Sequence, residues 1–506
     1  MSSNLFELFQ NRYSGHLKDT FLALPNGENY SFEEIDDLSA RMAGLLVEEN
    51  VVPGDRVVLQ TDKSAATVAL YLAVLRVGAI FVPLNTAYTA SEIDYFLGDA
   101  KPKLFFCQEL NLASLEVVAS GCGVSRTLVL GTNAEEYFWE KSLNTAPLED
   151  VVPRDSEDLA AFLYTSGTTG RSKGAMLSHK NLISNAQTLH QLWEFKTGDV
   201  LLHALPIFHI HGLFVALHCA LLNASKVLFL PSFEVSEVLE ALRSGTTVMM
   251  GVPTFYTRLL ASSDFSSEDC AKVRVFISGS APMTEQVHQE WTDKTEHKIL
   301  ERYGMTEAGM ITSNPYLGDR VPGTVGYALP GVEVRIADST GAKLSPGEIG
   351  VIEVKGPNIF LGYWQMPEKT AEEFREDGFF ITGDVGVMDD DGRVSIVGRE
   401  KDLIISGGYN VYPKEIEVLL DEQDLVSESA VIGVPHQDFG ESVVAVVVAK
   451  PGAELQENEL LSAISGHLAR FKQPKKVYFV NELPRNTMGK VQKNLLRKEY
   501  ENTYTK

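Results

Sequence analysis

The run Thr165-Ser166-Gly167-Thr168-Thr169-Gly170-Arg171-Ser172-Lys173 carries the densest chemistry in the chain. Its residues are small and mostly hydroxylated, two glycines interrupt them, and a cation closes the run. A loop of this make-up offers hydroxyls and exposed backbone N–H groups to an anion, and a polyphosphate is the ligand that suits it. Gly167 and Gly170 permit backbone conformations that a Cβ would block, and Lys173 adds a mobile positive charge. The spacing is not that of the Walker A loop, where Gly and four residues precede Gly-Lys-Ser/Thr. Here Gly174 follows the lysine, and the composition alone also suits a plain surface hairpin. The flanks must hold the loop: Leu159 to Tyr164 is apolar enough for a buried strand, and Gly174 to Ser178 supplies the return strand.

Further strings place polar chemistry after apolar runs. Glu301-Arg302-Tyr303-Gly304-Met305-Thr306-Glu307 offers an aromatic face for a base, a hydroxyl for phosphate and a carboxylate for Mg²⁺, a cation that takes oxygen ligands and substrate phosphates. Asp384, in Thr382-Gly-Asp384, can accept hydrogen bonds from ribose hydroxyls, and Arg399, in Gly398-Arg-Glu-Lys-Asp402, can donate to them. Gly279, Ser280 and Ala281 follow a strand-like run. Lys490 closes Pro484-Arg-Asn-Thr-Met-Gly-Lys490, where a mobile ammonium suits charge that builds up in a transition state.

The elements that would position these residues alternate. Strand-like runs at Arg56–Leu59, Ala79–Val82 and Lys103–Cys107 are joined by helix-like pieces, one of them opening after Ser31 as N-cap. From Leu159 to Met305 the alternation is cleaner. Strands at 200–204, 226–230, 247–250 and 273–277 are separated by helices such as 236–244 and 284–295, a βαβ pattern that predicts a largely parallel sheet. Ligands of such sheets sit beyond the carboxyl ends of the strands. Short strands and turns over 323–398 predict a small antiparallel β unit. After Lys401 a compact α+β module is expected, with Pro413 near the first turn of a helix and a strand at 443–449. The fold class is therefore α/β, with a large domain over 1–400 and a small C-terminal domain over 401–506.

The chain has 506 residues, 44% hydrophobic and 22% charged, which describes a globular protein of more than one core. The net charge of −24 argues against nucleic acid as a partner. The charge is uneven, because His467 to Lys506 holds ten Lys or Arg against three Glu. Four scattered cysteines form no metal-type pair and suit a reducing, cytoplasmic setting. The most apolar run, Ala65 to Leu84, is broken by Arg76 and Gly78 and reads as a buried helix and strand, not a membrane span.

The phosphate loop and the four strings ending at Glu307, Asp384, Asp402 and Lys490, in that order, resemble the adenylate-forming superfamily of acyl-CoA synthetases, luciferases and peptide-synthetase adenylation domains. The resemblance covers essentially the whole chain. It implies ATP and CoA as co-substrates with Mg²⁺ at Glu307, and ATP contacts from Thr165 to Gly170, Lys173, Gly279 to Ala281, Glu301 to Gly304, Asp384 and Arg399. Thr306, Glu307, His209 and Lys490 take the catalytic roles, with Lys490 orienting the carboxylate and α-phosphate. Lys401 is the hinge, and Ser406, Gly407 and Gly408 face the pantetheine arm in a second half-reaction. Arg470, Lys472, Lys475 and Lys476 are candidates for the CoA phosphates on charge alone. Lys490 is a candidate for regulatory acylation, which would remove its charge.

For the acid, Pro206-Ile-Phe-His209-Ile210-His211-Gly212 and the segment from Pro253 should line the pocket. His209 and His211 lack further ligands at metal-type spacing. Arg258 would sit about one and a half turns into a helix begun at Pro253. A guanidinium buried beside an acyl pocket needs an anion, which a dicarboxylic acid supplies. Leu202 to Leu213, Met250 to Arg258 and Arg302 to Met310 resemble malonyl-CoA synthetases in particular. That implies Arg258 on the distal carboxylate of malonate and Ile210 and Met310 beside its methylene, in a monomer or weak homo-oligomer. Alternatives are an acyl-CoA synthetase for methylmalonate or another short or medium-chain acid, a carrier-loading adenylation domain, and a nucleotide-binding protein without ligase activity.

Overall fold

The computed structural model describes residues 3–131, 137–165, 172–407, 409–486 and 489–504. Two parallel-rich sheets form the bulk of it. One has nine strands, in which Leu300–Met305, Val275–Ser278, Val248–Gly251, Val200–His203, Lys226–Phe229 and Thr20–Ala23 run parallel in that spatial order, with antiparallel strands at both edges. The other has six strands, parallel except for the last pair, the antiparallel hairpin Leu159–Thr165 and Lys173–Ser178. The hairpin expected around the phosphate loop is therefore present, with Thr165 opposite Lys173 at its open end.

Val, Ile, Leu and Phe fill both faces of these strands, as a sheet covered by helices on two sides requires. The helix Ala65–Arg76 is buried along its whole length and leads into the buried strand Ile80–Pro83, as the sequence predicts for that run. No described helix is long and apolar enough to cross a membrane. Ser31 caps the helix Phe32–Glu48 through a capping box with Glu34.

An antiparallel sheet of four strands, from Glu333–Ala337 to Val394–Arg399, forms the small β unit. The turn Glu400–Asp402 leads from it into the small C-terminal α+β domain. Its five-stranded sheet is built on the long hairpin Val426–His436 and Gly440–Ala449. The helix Pro413–Asp421 packs on that sheet, with Pro413 in its first turn. The terminal helix Lys493–Tyr500 is tied back by Lys493 to Glu417 (2.5 Å) and by Arg497 to Asp402 (2.7 Å). Lys490 is thus held a few residues from ion pairs that reach the 400–402 turn.

Observed strands differ from their predicted limits by up to three residues, since hydrophobic runs do not mark where ladder pairing stops. Some elements have no counterpart in the sequence reading, among them the strand Thr20–Ala23 and a buried stretch after Ile210. His211–Leu217, fully buried, forms a π-helical stretch that continues into His218–Asn223.

Candidate active site

The carboxyl ends of the parallel strands and the β unit converge on one crevice. At its phosphate end, Thr165 closes the first strand of the hairpin, and its hydroxyl lies 3.4 Å from a Glu307 carboxylate oxygen. Ser166, Gly167, Thr168, Thr169 and Gly170 lie outside the described residues. Beyond the loop, the Ser172 carbonyl accepts a hydrogen bond from the Tyr95 hydroxyl (2.7 Å). Lys173 is buried and pairs with Glu373 (2.9 Å), and its ammonium sits 3.9 Å from the centre of the Tyr363 ring. The Tyr363 hydroxyl lies 2.6 Å from Glu373 and 3.1 Å from Glu307. Burial pushes the Glu307 carboxyl up, while the Tyr363 hydroxyl and the Lys173 charge work against that push.

The sequence reading finds Lys173 and Glu307 but misses Tyr363 and Glu373. Neither has a local signal: Glu373 follows a short helix among other acids and reads as an exposed charge. Only the fold brings it to Lys173, 200 residues away in sequence.

At the nucleoside end, the buried Tyr303 donates its hydroxyl proton to Asp384 (2.6 Å), and Arg399 pairs with the other oxygen of that carboxylate (2.8 Å). The Asp384 N–H donates to the Thr382 hydroxyl (3.0 Å), which fixes the turn between them. Ser280 has φ of +71°, a backbone conformation few non-glycine residues adopt, and its hydroxyl lies 3.2 Å from His211 Nδ1. Gly279 lies flat on the Arg302 guanidinium, and a Cβ there would overlap it. Glu301 is buried with one oxygen unpartnered, and burial pushes its carboxyl up to about 8. Thr306 lies in the turn between Leu300–Met305 and Gly309–Ser313.

At the acyl end, His209 accepts the N–H of His211 on Nδ1 (3.2 Å), which leaves its proton on Nε2. Burial, then the charges of Arg302 and Lys490, push His209 down to about 4, so the ring is neutral near pH 7. Below it, Lys63 offers its ammonium to His203 Nδ1 (2.8 Å), and His203 lies 2.9 Å from the Gly212 carbonyl through Nε2, bracing the histidine segment. No local signal in the chain points to this brace. Ile210 and Met310 are both buried, and Asn185 exchanges two hydrogen bonds with the Met310 backbone.

Arg258 corrects an expectation. It is exposed on the helix Pro253–Leu260, 5.2 Å from the Phe233 ring centre, and not buried in a pocket wall. The inward positions of that helix are Pro253, Tyr256 and Leu259, and a 3.6-residue repeat turns position 258 away from them. It shares a helix face with Thr254, one turn earlier.

Thr254 meets the lid. Gly489, at φ +72°, approaches so closely that a Cβ would rest 3.1 Å from the Thr254 hydroxyl. Lys490 follows, half-buried, with its N–H donated to the Asn486 side chain (2.9 Å). Burial pushes its ammonium down to about 8; Arg399 adds to that push and Asp384 opposes it. The fold therefore brings Lys490, Asp384, Arg399 and His209 to one crevice.

Ser406 and Gly407 pair within the small sheet, where the Gly407 N–H donates to the Phe439 carbonyl (2.9 Å). Gly408 lies outside the described residues. Of the basic tail, Lys472 is paired with Glu415 (2.7 Å) and Lys476 with Glu457 (2.8 Å), while Lys475 donates to the Arg470 carbonyl (3.0 Å). Charge counting did not foresee these partners.

Two parallel-rich sheets whose strand ends meet at one crevice, with a lysine-bearing lid docked on it, define a nucleotide-using enzyme of two unequal domains. The chain belongs to the AMP-binding enzyme family: that family model matches residues 9–364, and the model of the AMP-binding enzyme C-terminal domain matches residues 415–490. The malonate–CoA ligase of Arabidopsis thaliana is 33% identical over 99% of this chain and 90% of its own length. ATP-bound MatB from Rhodopseudomonas palustris is 51% identical over the whole of both chains, with a TM-score of 0.97. Apo MatB from the same organism, at the same identity and coverage, gives 0.85, so this chain is nearer in arrangement to the ATP-bound form.

Proposed function

We propose that this chain joins malonate to CoA through malonyl-AMP, releasing AMP and pyrophosphate. The observation that carries the reading is the placement of Lys490: the lid delivers it, on the Gly489–Thr254 contact, to the crevice that holds Asp384, Arg399 and His209. CoA ligases of this family use ATP and CoA as substrates, and malonate is the acid of the plant relative.

In the first half-reaction a malonate carboxylate oxygen attacks the α-phosphorus, and the bond to the bridging oxygen of the pyrophosphate breaks. Lys490, largely protonated near pH 7, supports the charge on the incoming carboxylate and the α-phosphate. Lys173 leaves Glu373 for the outer phosphates. Asp384 and Arg399 address the ribose, Tyr303 and Gly279 to Ala281 the base side, and Thr306 the phosphates. His209, neutral, can donate from Nε2 without adding a charge.

The residues at the phosphate end fit Mg²⁺: Glu307 is a buried carboxylate whose side-chain hydrogen-bond partners among the described residues are the Thr165 and Tyr363 hydroxyls, a hard oxygen donor open to a shared substrate phosphate. Glu307 would hold that ion with Thr165 beside it, and the ion would supply charge neutralisation of the phosphates.

In the second half-reaction the lid turns about Lys401 and withdraws Lys490, and Ser406, Gly407 and Gly408 take its place. The CoA sulfur attacks the acyl carbon, and AMP leaves. Arg258, on the Thr254 face of its helix, is assigned the distal carboxylate of malonate in this reading. Acylation of Lys490 would switch off the first half-reaction alone. The four cysteines are unpaired thiols, which suits the cytoplasm.

The test is AMP release from purified protein with Mg-ATP, CoA and malonate, methylmalonate, succinate, acetate or octanoate in turn, repeated with Arg258→Ala. Malonate is expected to lead, with the preference reduced in the variant. Octanoate or acetate in the lead would replace malonate by the general acyl-CoA ligase reading.

A further inference from the structure

Lys63 carries its charge between the two parallel-rich sheets. It follows the strand Arg56–Gln60 of the six-stranded sheet and precedes the helix Ala65–Arg76. Its ammonium reaches across to the nine-stranded sheet. There it donates to His203 Nδ1 (2.8 Å), the His203 carbonyl (2.8 Å) and the Leu230 carbonyl (2.5 Å), and lies 4.4 Å from the centre of the Phe229 ring. Among the described residues its hydrogen-bond acceptors are therefore all neutral. Burial pushes the ammonium well below the usual lysine value. A cation placed so is costly to the fold, and an apolar side chain of similar length would join the two sheets without that cost. What the lysine adds is direction, since its three N–H groups point at three acceptors.

His203 passes that direction on. It ends the strand Val200–His203 and is fully buried. The Gly212 carbonyl, 2.9 Å from Nε2, can only accept, so Nε2 carries a proton and Nδ1 is left to accept from Lys63. Burial and the Lys63 charge both push the ring down, so it holds no second proton. Gly212 lies in the first turn of the π-helical stretch, and a Cβ there would overlap the Pro206 carbonyl. Its backbone is thus fixed from two sides. The residue before it, His211, gives its N–H to His209 Nδ1 (3.2 Å) and lies 3.2 Å from the Ser280 hydroxyl through Nδ1. The line from Lys63 through His203 and Gly212 ends on the His209 ring.

We infer that Lys63 is a positioning residue for the first half-reaction: through His203 it fixes the Gly212 carbonyl and, with it, the bend that sets His209 against the acid. The inference rests on the role given to His209 above. Lys63 stays within its ring of neutral acceptors, and its effect on the reaction passes through the histidines. Both ends of this brace lie in the large domain, so turning the lid does not undo it.

A double-mutant cycle tests the route. Lys63→Met, His209→Ala and the two together are compared by pyrophosphate release, on whichever acid of the panel the wild type prefers, with KM for the acid and for ATP measured separately. Lys63→Met is expected to lower kcat/KM for the acid about 10²-fold, the scale of a misplacement of roughly 1 Å, and to leave the KM for ATP within about twofold. In the His209→Ala background the same change is expected to lower it by less than about twofold, because the group it positions is gone. His203→Phe should repeat that pattern. Lys63→Gln, which keeps a donor and drops the charge, is expected to lose about tenfold, and it carries the cycle if the methionine variant does not fold. Equal losses in both backgrounds would overturn the inference and leave Lys63 a support of the fold alone. A His209→Ala enzyme as active as wild type would overturn it as well, by removing His209 from the reaction. A wild type that prefers acetate or octanoate would overturn the malonate reading, while the cycle, run on that acid, still decides the role of Lys63.

Discussion

The two ends of the crevice handle charge in opposite ways. At the phosphate end the described charges are paired: Lys173 meets Glu373, Tyr363 bridges Glu373 and Glu307, and Lys369 adds a second cation to Glu373 (3.2 Å). At the acyl end the charges of Arg302 and Lys490 both act on a neutral histidine, His209. The difference concerns timing. ATP brings its own charges and must break an existing pair, so Lys173 is ordered before nucleotide arrives. At the acyl end two Arg302 N–H groups have no hydrogen-bond partner among the described residues, so an anion that meets them breaks no existing bond there.

The largest expected effect breaks the acyl side of this comparison. Lys490→Ala should lower malonyl-AMP formation, read as pyrophosphate release, by about 10³-fold. Conversion of supplied malonyl-AMP and CoA into malonyl-CoA should stay within a few-fold of wild type. The pH profile sharpens the point. Burial holds the Lys490 ammonium near 8, below the usual lysine value, so the proton needed for adenylation is lost as pH rises through about 8. The wild-type first half-reaction should decline over that range while the second does not; a flat adenylation profile to pH 9.5 would remove Lys490 from the charged role.

A smaller effect tests the phosphate side. Glu373→Gln releases Lys173 from a part-buried pair worth about 1 kcal/mol. The KM for ATP should fall about fivefold, and the Tm measured without nucleotide should fall as well. A higher KM would mean that Glu373 aims the lysine and does not compete with ATP for it.

The smallest effect concerns Glu301, just below the crevice. Burial raises its carboxyl to about 8, far above the ordinary glutamate value. The folded state therefore binds a proton that the unfolded chain releases, and this contribution to stability is complete below about pH 4.5 and lost as pH rises through about 8. Glu301→Gln, neutral at every pH, should flatten that decline and unfold a few degrees higher than wild type above pH 8. Thermal melts from pH 5 to 9 read it directly.

Much of this was legible in the chain. Apolar runs of four to seven residues marked the strands Val200–His203, Lys226–Phe229 and Val275–Ser278, because a strand covered on both faces needs apolar residues at every position. Gly-containing strings after strands marked the crevice. What stayed hidden was relational. Arg258 was placed by helix counting but assigned the wrong exposure, since periodicity says which residues share a face and not what covers that face. The π-helical stretch after Ile210 was invisible because one extra residue per turn changes no residue type.

The sequence by itself determined the local parts: the hydroxylated loop after a strand, the Gly489 turn before Lys490, the carboxylate of Glu307, and the alternation that builds a parallel sheet. These follow from short-range rules, namely which residue tolerates which backbone and which face needs burial. Only the tertiary structure decided which charges meet. That Lys173 is paired and Arg302 is not, and that the lid comes to rest on Thr254, depend on segments up to some 240 residues apart being packed at van der Waals distance. Electrostatic energy depends on that distance and on the water excluded around it, and neither quantity is written in the order of residues.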